Sequence, residues 1–255
     1  MRSLFARPWL VLAFSAAVFA GGALAQTGAG SGNGPVVLYG IGPDRRDHVN
    51  VDEMPWRAEG KLEAASGNLV TVCTGTLIGP STVLTAAHCF YSERLSAYLP
   101  AAAFHFLLGF DRGHYAAAAT GVSITVGPGY DPKNGNKTRG SDWAVLRLDT
   151  KLGASDRMLA LSEEPPRIGT PVAIGGYSRD YVYALTADSH CRIIGRSADG
   201  NGRVLLEHDC TAKQGASGSP VLVQDALGWT IHGVDVLTGR DNTRGMASIP
   251  TGVKD

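Results

Sequence analysis

The chain has 255 residues, 44% of them hydrophobic and 18% charged, and its 23 basic and 23 acidic side chains cancel. A neutral chain gives no electrostatic support for a nucleic-acid partner or an anionic membrane. Its four cysteines allow three disulfide pairings, and they lack the Cys-x-x-Cys spacing of a metal site. The histidines likewise lack a His-Glu-x-x-His motif. We therefore expect neither a metal nor another cofactor.

Residues 1–25 have the pattern of a secretory signal peptide. Arg2 and Arg7 accompany an almost wholly apolar run over residues 8–20, and Ala23-Leu24-Ala25 is a small-x-small cleavage site. The apolar run is shorter than the roughly 18 residues that a membrane span needs, which argues against an anchor. We expect cleavage after Ala25, a secreted or periplasmic location, and no stable membrane insertion afterwards.

The remainder of the chain predicts one β-rich domain. Residues 26–35 are glycine-rich and cannot bury apolar surface, so they predict a flexible segment or a short pro-segment. Over residues 36–255, short β-branched and apolar runs alternate with Gly, Pro, Asn and Asp turns, which is typical of an all-β barrel or sandwich. The predicted strands are residues 69–77, 82–85, 104–110, 121–126, 143–148, 171–174, 203–207, 220–223 and 229–236. A short helical turn is predicted over residues 86–91.

Three motifs together supply the parts of a hydrolytic triad. In chain order they are Thr85-Ala86-Ala87-His88-Cys89, Ser141-Asp142-Trp143-Ala144 and Gly215-Ala216-Ser217-Gly218-Ser219-Pro220. A serine hydroxyl is a poor nucleophile at neutral pH, and His88 offers a base because imidazole titrates near that pH. Asp142 would accept the other ring N–H and fix its tautomer. Each motif alone more often has a structural role, but the ordered set predicts Ser217 as a nucleophile.

The three motifs resemble those of the chymotrypsin-like (trypsin-like) serine peptidases. The Gly-x-Ser-Gly-Ser-Pro ending is similar to the bacterial branch that includes the glutamyl endopeptidases. The resemblance implies two six-stranded antiparallel β-barrels with the active site in the cleft between them. It also implies an acyl-enzyme mechanism without a cofactor, and an oxyanion hole built from the backbone N–H groups of Gly215 and Ser217. It also implies the disulfide Cys73–Cys89, beside His88, and we expect the two cysteines that remain, Cys191 and Cys210, to form the second.

The chain departs from the family at the residue before the nucleophile. Trypsin-like zymogens have an aspartate there, which pairs with the new N-terminus on activation, whereas this chain has Ala216. We therefore do not expect that activation switch, and other contacts must hold the oxyanion loop. Arg45 and Arg46 lie in a segment that resembles the N-terminal Asp-Asp-Arg-type segment of the bacterial relatives.

The candidate substrate-binding residues are Thr211, Gln214, His232 and Asp235. Thr211 takes the place of trypsin's pocket aspartate, so a trypsin-type pocket is not indicated there. Glutamyl endopeptidases use a histidine on the strand after the nucleophile. Counting without a gap assigns that position to His232, whereas alignment on Gly233 assigns it to Asp235 and preserves the apolar pattern. We favour Asp235, which would repel an acidic side chain, and so expect no strict glutamate specificity.

The sequence as a whole predicts a monomeric serine endopeptidase that acts on peptide or protein substrates. Two alternatives stay open at this point. A non-catalytic or latent trypsin-fold binding protein is one, because Ala216 puts the oxyanion loop in doubt. An esterase that uses the same triad on small esters is the other.

Overall fold

The computed structural model describes residues 43–66, 69–162, 164–238 and 244–253. The predicted signal peptide and the glycine-rich segment lie outside these residues. The strands are β1 (Asp47–His48), β2 (Glu59–Ser66), β3 (Leu69–Gly79), β4 (Thr82–Thr85), β5 (Tyr91–Ser92), β6 (Ala97–Tyr98), β7 (Phe104–Leu108), β8 (Ala117–Val126), β9 (Ala144–Leu148), β10 (Ala160–Leu161), β11 (Pro171–Gly176), β12 (Thr186–Ala198), β13 (Val204–His208), β14 (Pro220–Asp225), β15 (Gly228–Thr238) and β16 (Gly245–Ser248). The helical segments are α1 (Gly135–Thr138) and 3₁₀ turns at Trp56–Ala58, Ala87–Phe90, Ala101–Ala103, Pro132–Asn134, Arg139–Ser141 and Arg179–Tyr181.

The first half of the described domain forms a closed antiparallel barrel. Its six strands are hydrogen-bonded in the order β2-β3-β4-β9-β8-β7. Successive side chains of a strand point to opposite faces, so every second residue enters the barrel. Leu62, Phe104, Phe106 and Leu146 are almost completely buried there. The short strand β4 is buried along its whole length because β3 and β9 pair with it on either side.

The second half closes into another six-stranded antiparallel barrel. The order is β12-β11-β14-β15-β16-β13, and β13 pairs back to β12. β1 extends this sheet at β12, and β10 runs parallel to β15. Ile174, Ile193, Leu206 and Val221 form its buried centre. These two barrels confirm the fold that the sequence motifs implied.

The two barrels meet along an apolar cluster to which both contribute side chains. Trp56 covers Gly175 so closely that a Cβ at Gly175 would lie 2.5 Å from the Trp56 ring. The ring centroid of Trp56 lies 6.4 Å from that of Trp229 on β15. No helix in the described ranges is long and apolar enough to cross a membrane.

Candidate active site

His88 is held by two hydrogen bonds to one carboxylate. It lies in the 3₁₀ turn Ala87–Phe90, shortly after β4. Its backbone N–H donates to Asp142 Oδ1 at 2.9 Å, and its ring Nδ1 lies 2.8 Å from Asp142 Oδ2. The carboxylate assigns the ring proton to Nδ1, which leaves the lone pair on Nε2. The His88 side chain is 34% exposed, so Nε2 is available as a base.

Asp142 is fixed by contacts from both barrels. Its backbone N–H donates to the carbonyl oxygen of Arg139 at 2.9 Å. Ser248 on β16 donates its hydroxyl to the Asp142 carbonyl oxygen at 3.1 Å. The Asp142 side chain is only 7% exposed, so its bonds to the histidine are little screened by water. Sequence reasoning missed Ser248, because a serine on a strand carries no distinguishing signal.

Ser217 lies in the tight loop that leads into β14. Its carbonyl oxygen accepts from Thr74 N at 2.9 Å, which ties the loop to β3 of the first barrel. The next residue, Gly218, has φ +89°, and a Cβ there would lie 2.2 Å from both Thr74 O and Thr85 Oγ1. Only glycine allows so close a contact. Gly218 therefore places Ser217 next to the end of β4, the strand that leads into the turn with His88. The Ser217 hydroxyl has no hydrogen-bond partner among the described residues.

Two backbone N–H groups of the same loop are unused. Those of Gly215 and Ser217 have no acceptor in the described part of the chain, whereas that of the intervening Ala216 bonds within the loop. Gly215 has φ +104°, and a Cβ there would lie 2.8 Å from Tyr177 O and 2.9 Å from Arg179 N. A free pair of N–H groups in such a turn can bind an oxyanion.

The His88 pKa lies above its ordinary value. Burial lowers the pKa of His88, but the charge of Asp142 and its hydrogen bond raise it by more, with a smaller upward contribution from Asp235. A raised pKa makes the imidazole a stronger base, which needs a higher pH to become deprotonated. Burial raises the pKa of Tyr130 as well, and the Asp142 charge adds to that shift, so this phenol stays protonated beside the pair.

A second carboxylate–imidazole pair lies behind the Ser217 loop. Asp235 on β15 donates its N–H to Ser219 O at 2.8 Å, and its carbonyl oxygen accepts from Gly218 N at 2.9 Å. Its Oδ1 lies 3.2 Å from Nε2 of His208, whose side chain is completely buried. His208 packs on Gly245, where a Cβ would lie 2.1 Å from the ring. No sequence signal indicated this pair.

The other candidate substrate-binding residues have different surroundings. Thr211 is buried, and Gln214 is exposed on the Ser217 loop. His232 lies on β15, but its Nδ1 is 2.8 Å from Glu164 O and its Nε2 is 3.0 Å from Thr230 Oγ1. Asp235 is thus hydrogen-bonded through its backbone to Gly218 and Ser219, next to the nucleophile, whereas Thr211 and Gln214 belong to the loop itself. His232 has no hydrogen bond to that loop among the described residues.

The cysteines near the histidine are committed to a disulfide. Potential ligand atoms of Cys73, His88 and Cys89 lie within 4.8 Å of one another. Cys73 and Cys89 are bonded to each other, so neither offers a thiolate to a metal. The second disulfide joins Cys191 to Cys210, seven residues before Ser217 in the loop that leads to the nucleophile. One disulfide therefore fixes the turn that contains His88, and the other fixes the part of the chain that leads to Ser217.

Paired six-stranded barrels with a histidine–aspartate pair and a glycine-flanked serine at their junction define the trypsin-like class. The family model described as Trypsin matches residues 45–254. The match covers most of the chain, and the chain therefore belongs to the trypsin family.

Curated relatives of two kinds are similar to this chain. Trypsin zeta of Drosophila erecta is 26% identical over 189 residues, which is 64% of this chain and 63% of that protein. The glutamyl endopeptidase of Bacillus licheniformis is 28% identical over 200 residues, or 73% of this chain and 55% of the relative. The chain thus spans between about half and about two thirds of the length of these relatives.

Solved structures support the same fold. A Glu endopeptidase in complex with MPD has a TM-score of 0.68 and 23% identity, over 83% of this chain and 94% of its own. A thermostable serine protease AL20 from an extremophilic microorganism has a TM-score of 0.60 and 17% identity, over 76% and 91%. At these identities the likeness establishes the fold alone.

Proposed function

We propose that this protein is an exported serine endopeptidase whose triad is His88, Asp142 and Ser217. The observation that carries the proposal is the double hydrogen bond between His88 and Asp142. This bond directs the free Nε2 away from the carboxylate, as a general base requires. Membership of the trypsin family supports the same reaction.

The reaction proceeds through an acyl-enzyme. Ser217 Oγ attacks the peptide carbonyl carbon while His88 Nε2 takes the hydroxyl proton, and the carbonyl oxygen becomes an oxyanion. The C–N bond then breaks, and Nε2 returns the proton to the leaving amine. In the second half, water attacks the Ser217 ester, Nε2 takes a proton from the water, and the C–O bond to Ser217 breaks. The proton returns to Oγ, and the enzyme is restored.

The N–H groups of Gly215 and Ser217 form the oxyanion hole of this proposal. Neither is occupied by an acceptor from the described residues, so both can donate to the developing negative charge. Fixed donors need no reorganisation during the reaction, and removal of one such donor costs about 10²–10³ in rate. Because the donors are backbone groups, the hole depends on the shape of the loop rather than on a side chain.

We assign substrate recognition to Asp235, with Gln214 at the rim and Thr211 at the base of the loop. Asp235 lies beside the nucleophile loop, and its carboxylate is 6% exposed. An acidic substrate side chain would be repelled by this charge, whereas a basic one would be attracted to it, although Oδ1 also pairs with His208. The protein therefore prefers a basic side chain over glutamate on the acyl side of the cleaved bond. His232 contributes at most indirectly, since both ring nitrogens already have partners.

The proposed cellular context is oxidising and outside the cytoplasm. Two disulfides are typical of exported proteins, and the sequence of residues 1–25 predicts a signal peptide. We propose a monomer with peptide or protein substrates. N-terminal sequencing of the protein recovered from the periplasm or the medium tests export, and a mature chain that still contains residues 1–25 would contradict it.

A peptide library and small esters test the reaction class. The purified protein should cleave internal peptide bonds, and Ser217→Ala should remove that activity while the unfolding midpoint stays close to that of the wild type. Ester hydrolysis without peptide cleavage would favour the esterase alternative. Absence of both reactions in a folded protein would favour the latent or binding-protein alternative.

A further inference from the structure

A cluster of four charged side chains lies beside the oxyanion loop, which we define as residues 211–217. It consists of two carboxylates, Asp44 and Asp180, and two cations, Arg46 and Lys213. Asp44 and Arg46 come from the segment that precedes β1, and Asp180 comes from the 3₁₀ turn Arg179–Tyr181. Three distant parts of the chain therefore meet in one ion-pair network.

Arg46 is the centre of this network. Its side chain is 3% exposed, and Nη1 and Nη2 donate to Asp180 Oδ1 and Oδ2 at 3.1 and 2.6 Å. Nε and Nη2 donate to Asp44 at 2.9 and 2.8 Å, and Nη1 also reaches Ser178 Oγ at 2.5 Å. The guanidinium lies 5.2 Å from the ring centroid of Tyr181. A buried guanidinium with this many fixed donors gives the surrounding backbone one preferred arrangement.

The same network and the segment before β1 are bonded to one side of the oxyanion loop. Lys213 Nζ lies 3.1 Å from Asp180 Oδ2 and 3.3 Å from Asp44 Oδ2. The Lys213 carbonyl oxygen accepts from Ala216 N at 3.0 Å, inside the turn that ends at the nucleophile. Thr211 Oγ1 donates to Pro43 O at 3.2 Å, so a second residue of the loop is tied to the same segment.

The network also fixes the backbone on which the oxyanion loop packs. Arg179 N donates to Gln214 O at 2.7 Å, and Gly215 packs on the backbone of residues 177–179. Arg46 bonds Ser178 and Asp180, which flank Arg179 on either side. The backbone on which Gly215 lies is thus itself fixed by the buried guanidinium.

The charges of the network persist over a wide pH range. The hydrogen bond from Arg46 is the largest cause that lowers the pKa of Asp44. Burial would raise the pKa of Asp180, but hydrogen bonds from Arg46 and Lys213 outweigh it and bring the value to about 2. Both carboxylates are therefore ionised wherever His88 can act as a base.

We propose that Asp44 and Arg46 are positioning residues for the oxyanion hole, and that the segment before β1 holds the loop in its active shape. The residue before Ser217 is Ala216, which has no charge of its own, so the anchoring charge comes from Lys213 and from the segment. This role rests on the proposed function, because it concerns the N–H groups of Gly215 and Ser217. Neither Asp44 nor Arg46 touches the reacting atoms.

Four variants of the full mature protein test the proposal. Arg46→Met removes the buried charge and keeps the length of the side chain, and Arg46→Lys keeps the charge without the two-pronged geometry. Lys213→Met removes the anchor on the loop side, where the residue is partly exposed and the fold is less at risk. The matched control is Arg57→Met, whose ion pair with Asp156 at 3.0 Å is exposed.

Two measurements are made on each variant. The first is kcat and KM on a peptide that the wild type cleaves, and the second is hydrogen exchange of the backbone amides across the domain, with residues 177–180 and 211–218 resolved. Arg46→Met should lower kcat about 10²–10³-fold with KM changed less than about threefold, as expected for a lost oxyanion donor. Its exchange should speed up by about tenfold or more, and this change should be confined to residues 177–180 and 211–218. The kcat and exchange of Arg46→Lys should lie between those of the wild type and Arg46→Met. Lys213→Met should show the same changes more weakly, and Arg57→Met should match the wild type.

The proposal is overturned if folded Arg46→Met and Lys213→Met keep wild-type kcat and wild-type exchange of the loop. It is equally overturned if exchange rises throughout the domain, since that would mean general destabilisation. Should Arg46→Met fail to fold, Lys213→Met decides the matter by the same two measurements. Hydrogen exchange does not need turnover, so the two proposals can fail separately. If the wild type has no activity but the loop exchanges faster in these variants, the proposed function is wrong and the anchoring role is supported.

Discussion

Replacement of Asp142 by asparagine should remove most of the activity while leaving the fold intact. The side-chain amide oxygen of the variant could still accept the His88 backbone N–H, which preserves the 2.9 Å contact. The amide nitrogen would then face Nδ1, and the neutral ring would move its proton to Nε2. The base would thus have lost the lone pair that it needs to accept the Ser217 proton.

The expected loss is about 10⁴-fold in kcat, the size that the same substitution has in a serine peptidase with this type of triad. At about 1.36 kcal/mol per factor of ten, this corresponds to about 5.4 kcal/mol of transition-state stabilisation. A charge-assisted hydrogen bond contributes about 1.5–3 kcal/mol, so loss of the 2.8 Å bond to Nδ1 accounts for part of it. We attribute the remainder to the wrong tautomer and to the missing negative charge beside the imidazolium.

The pH profile gives the prediction a second, independent readout. The wild-type pKa of His88 is raised, so kcat/KM should rise with pH through a midpoint above 6.5, because only the neutral ring is a base. Without the Asp142 charge, the largest upward influence on the His88 pKa disappears, and the midpoint of the residual activity should shift to lower pH.

Stopped assays on a peptide substrate from about pH 5 to pH 9 measure both quantities. The matched control is Asp131→Asn, an exposed aspartate that bonds Lys133 N at 3.0 Å and should keep full activity. A folded Asp142→Asn protein that loses less than about tenfold, or whose midpoint does not fall, would refute the role assigned to Asp142.

Three further predictions concern other parts of the molecule. Gly218→Ala forces a Cβ to 2.2 Å from Thr74 O at φ +89°, so the loop must shift, and kcat should fall by about tenfold or more in a protein with a lower melting temperature. Burial raises the pKa of Glu59, and neither carboxylate oxygen has a partner among the described residues, so the folded state keeps a proton that the unfolded chain releases. The free energy of unfolding should therefore fall as pH rises above the unfolded pKa, by at most about 1.4 kcal/mol per pH unit, and Glu59→Gln should remove that fall in urea titrations. Asp235→Asn should reduce kcat/KM for substrates with a basic side chain by about tenfold and leave neutral substrates within about threefold.

Each of these has a contradicting outcome. An unchanged melting temperature and kcat in Gly218→Ala would show that the loop does not need its close approach to β3. If the urea midpoints of Glu59→Gln and the wild type change with pH in the same way, Glu59 does not stay protonated on folding. Equal losses on basic and neutral substrates in Asp235→Asn would assign that residue to stability rather than recognition.

The turn-rich pattern predicted an all-β barrel or sandwich from local signals, and the two-barrel arrangement came from the resemblance carried by the three motifs. Strands such as β4 and β9 have β-branched or apolar residues between clear turns, and the sequence alone located them. β2 was not predicted, since Glu, Lys, Leu and Ala within it favour a helix. Its strand geometry comes from pairing with β3 and β7 on either side, which a local pattern does not contain.

The sequence indicated the candidate site residues but not the residues that support them. His88, Asp142 and Ser217 are marked by unusual neighbours, so the sequence identified them as candidates. Ser248 and Thr74 reach the same site through one hydrogen bond each, from strands that are distant in the chain. Common residue types at ordinary strand positions give no sequence signal, and only the folded barrels bring them together.

The ion-pair network around the buried Arg46 was beyond sequence reasoning for a similar reason. The sequence showed Arg45 and Arg46 before the first strand and an uncharged residue before Ser217, and it left open what holds the loop. The anchoring that we propose depends on Asp180 and Lys213, which lie more than 100 residues further along the chain. Charges are common on protein surfaces, so only burial of the Arg46 guanidinium distinguishes this group.

Covalent labelling of the mature protein with a fluorophosphonate tests the central claim most directly. An activated serine beside a working base should take up one equivalent of probe, and peptide mapping should locate it on Ser217. Ser217→Ala should take up none, and Asp142→Asn should react far more slowly. A well-folded wild-type protein that remains unlabelled, or a label on another residue that persists in Ser217→Ala, would contradict the assignment of Ser217 as the nucleophile.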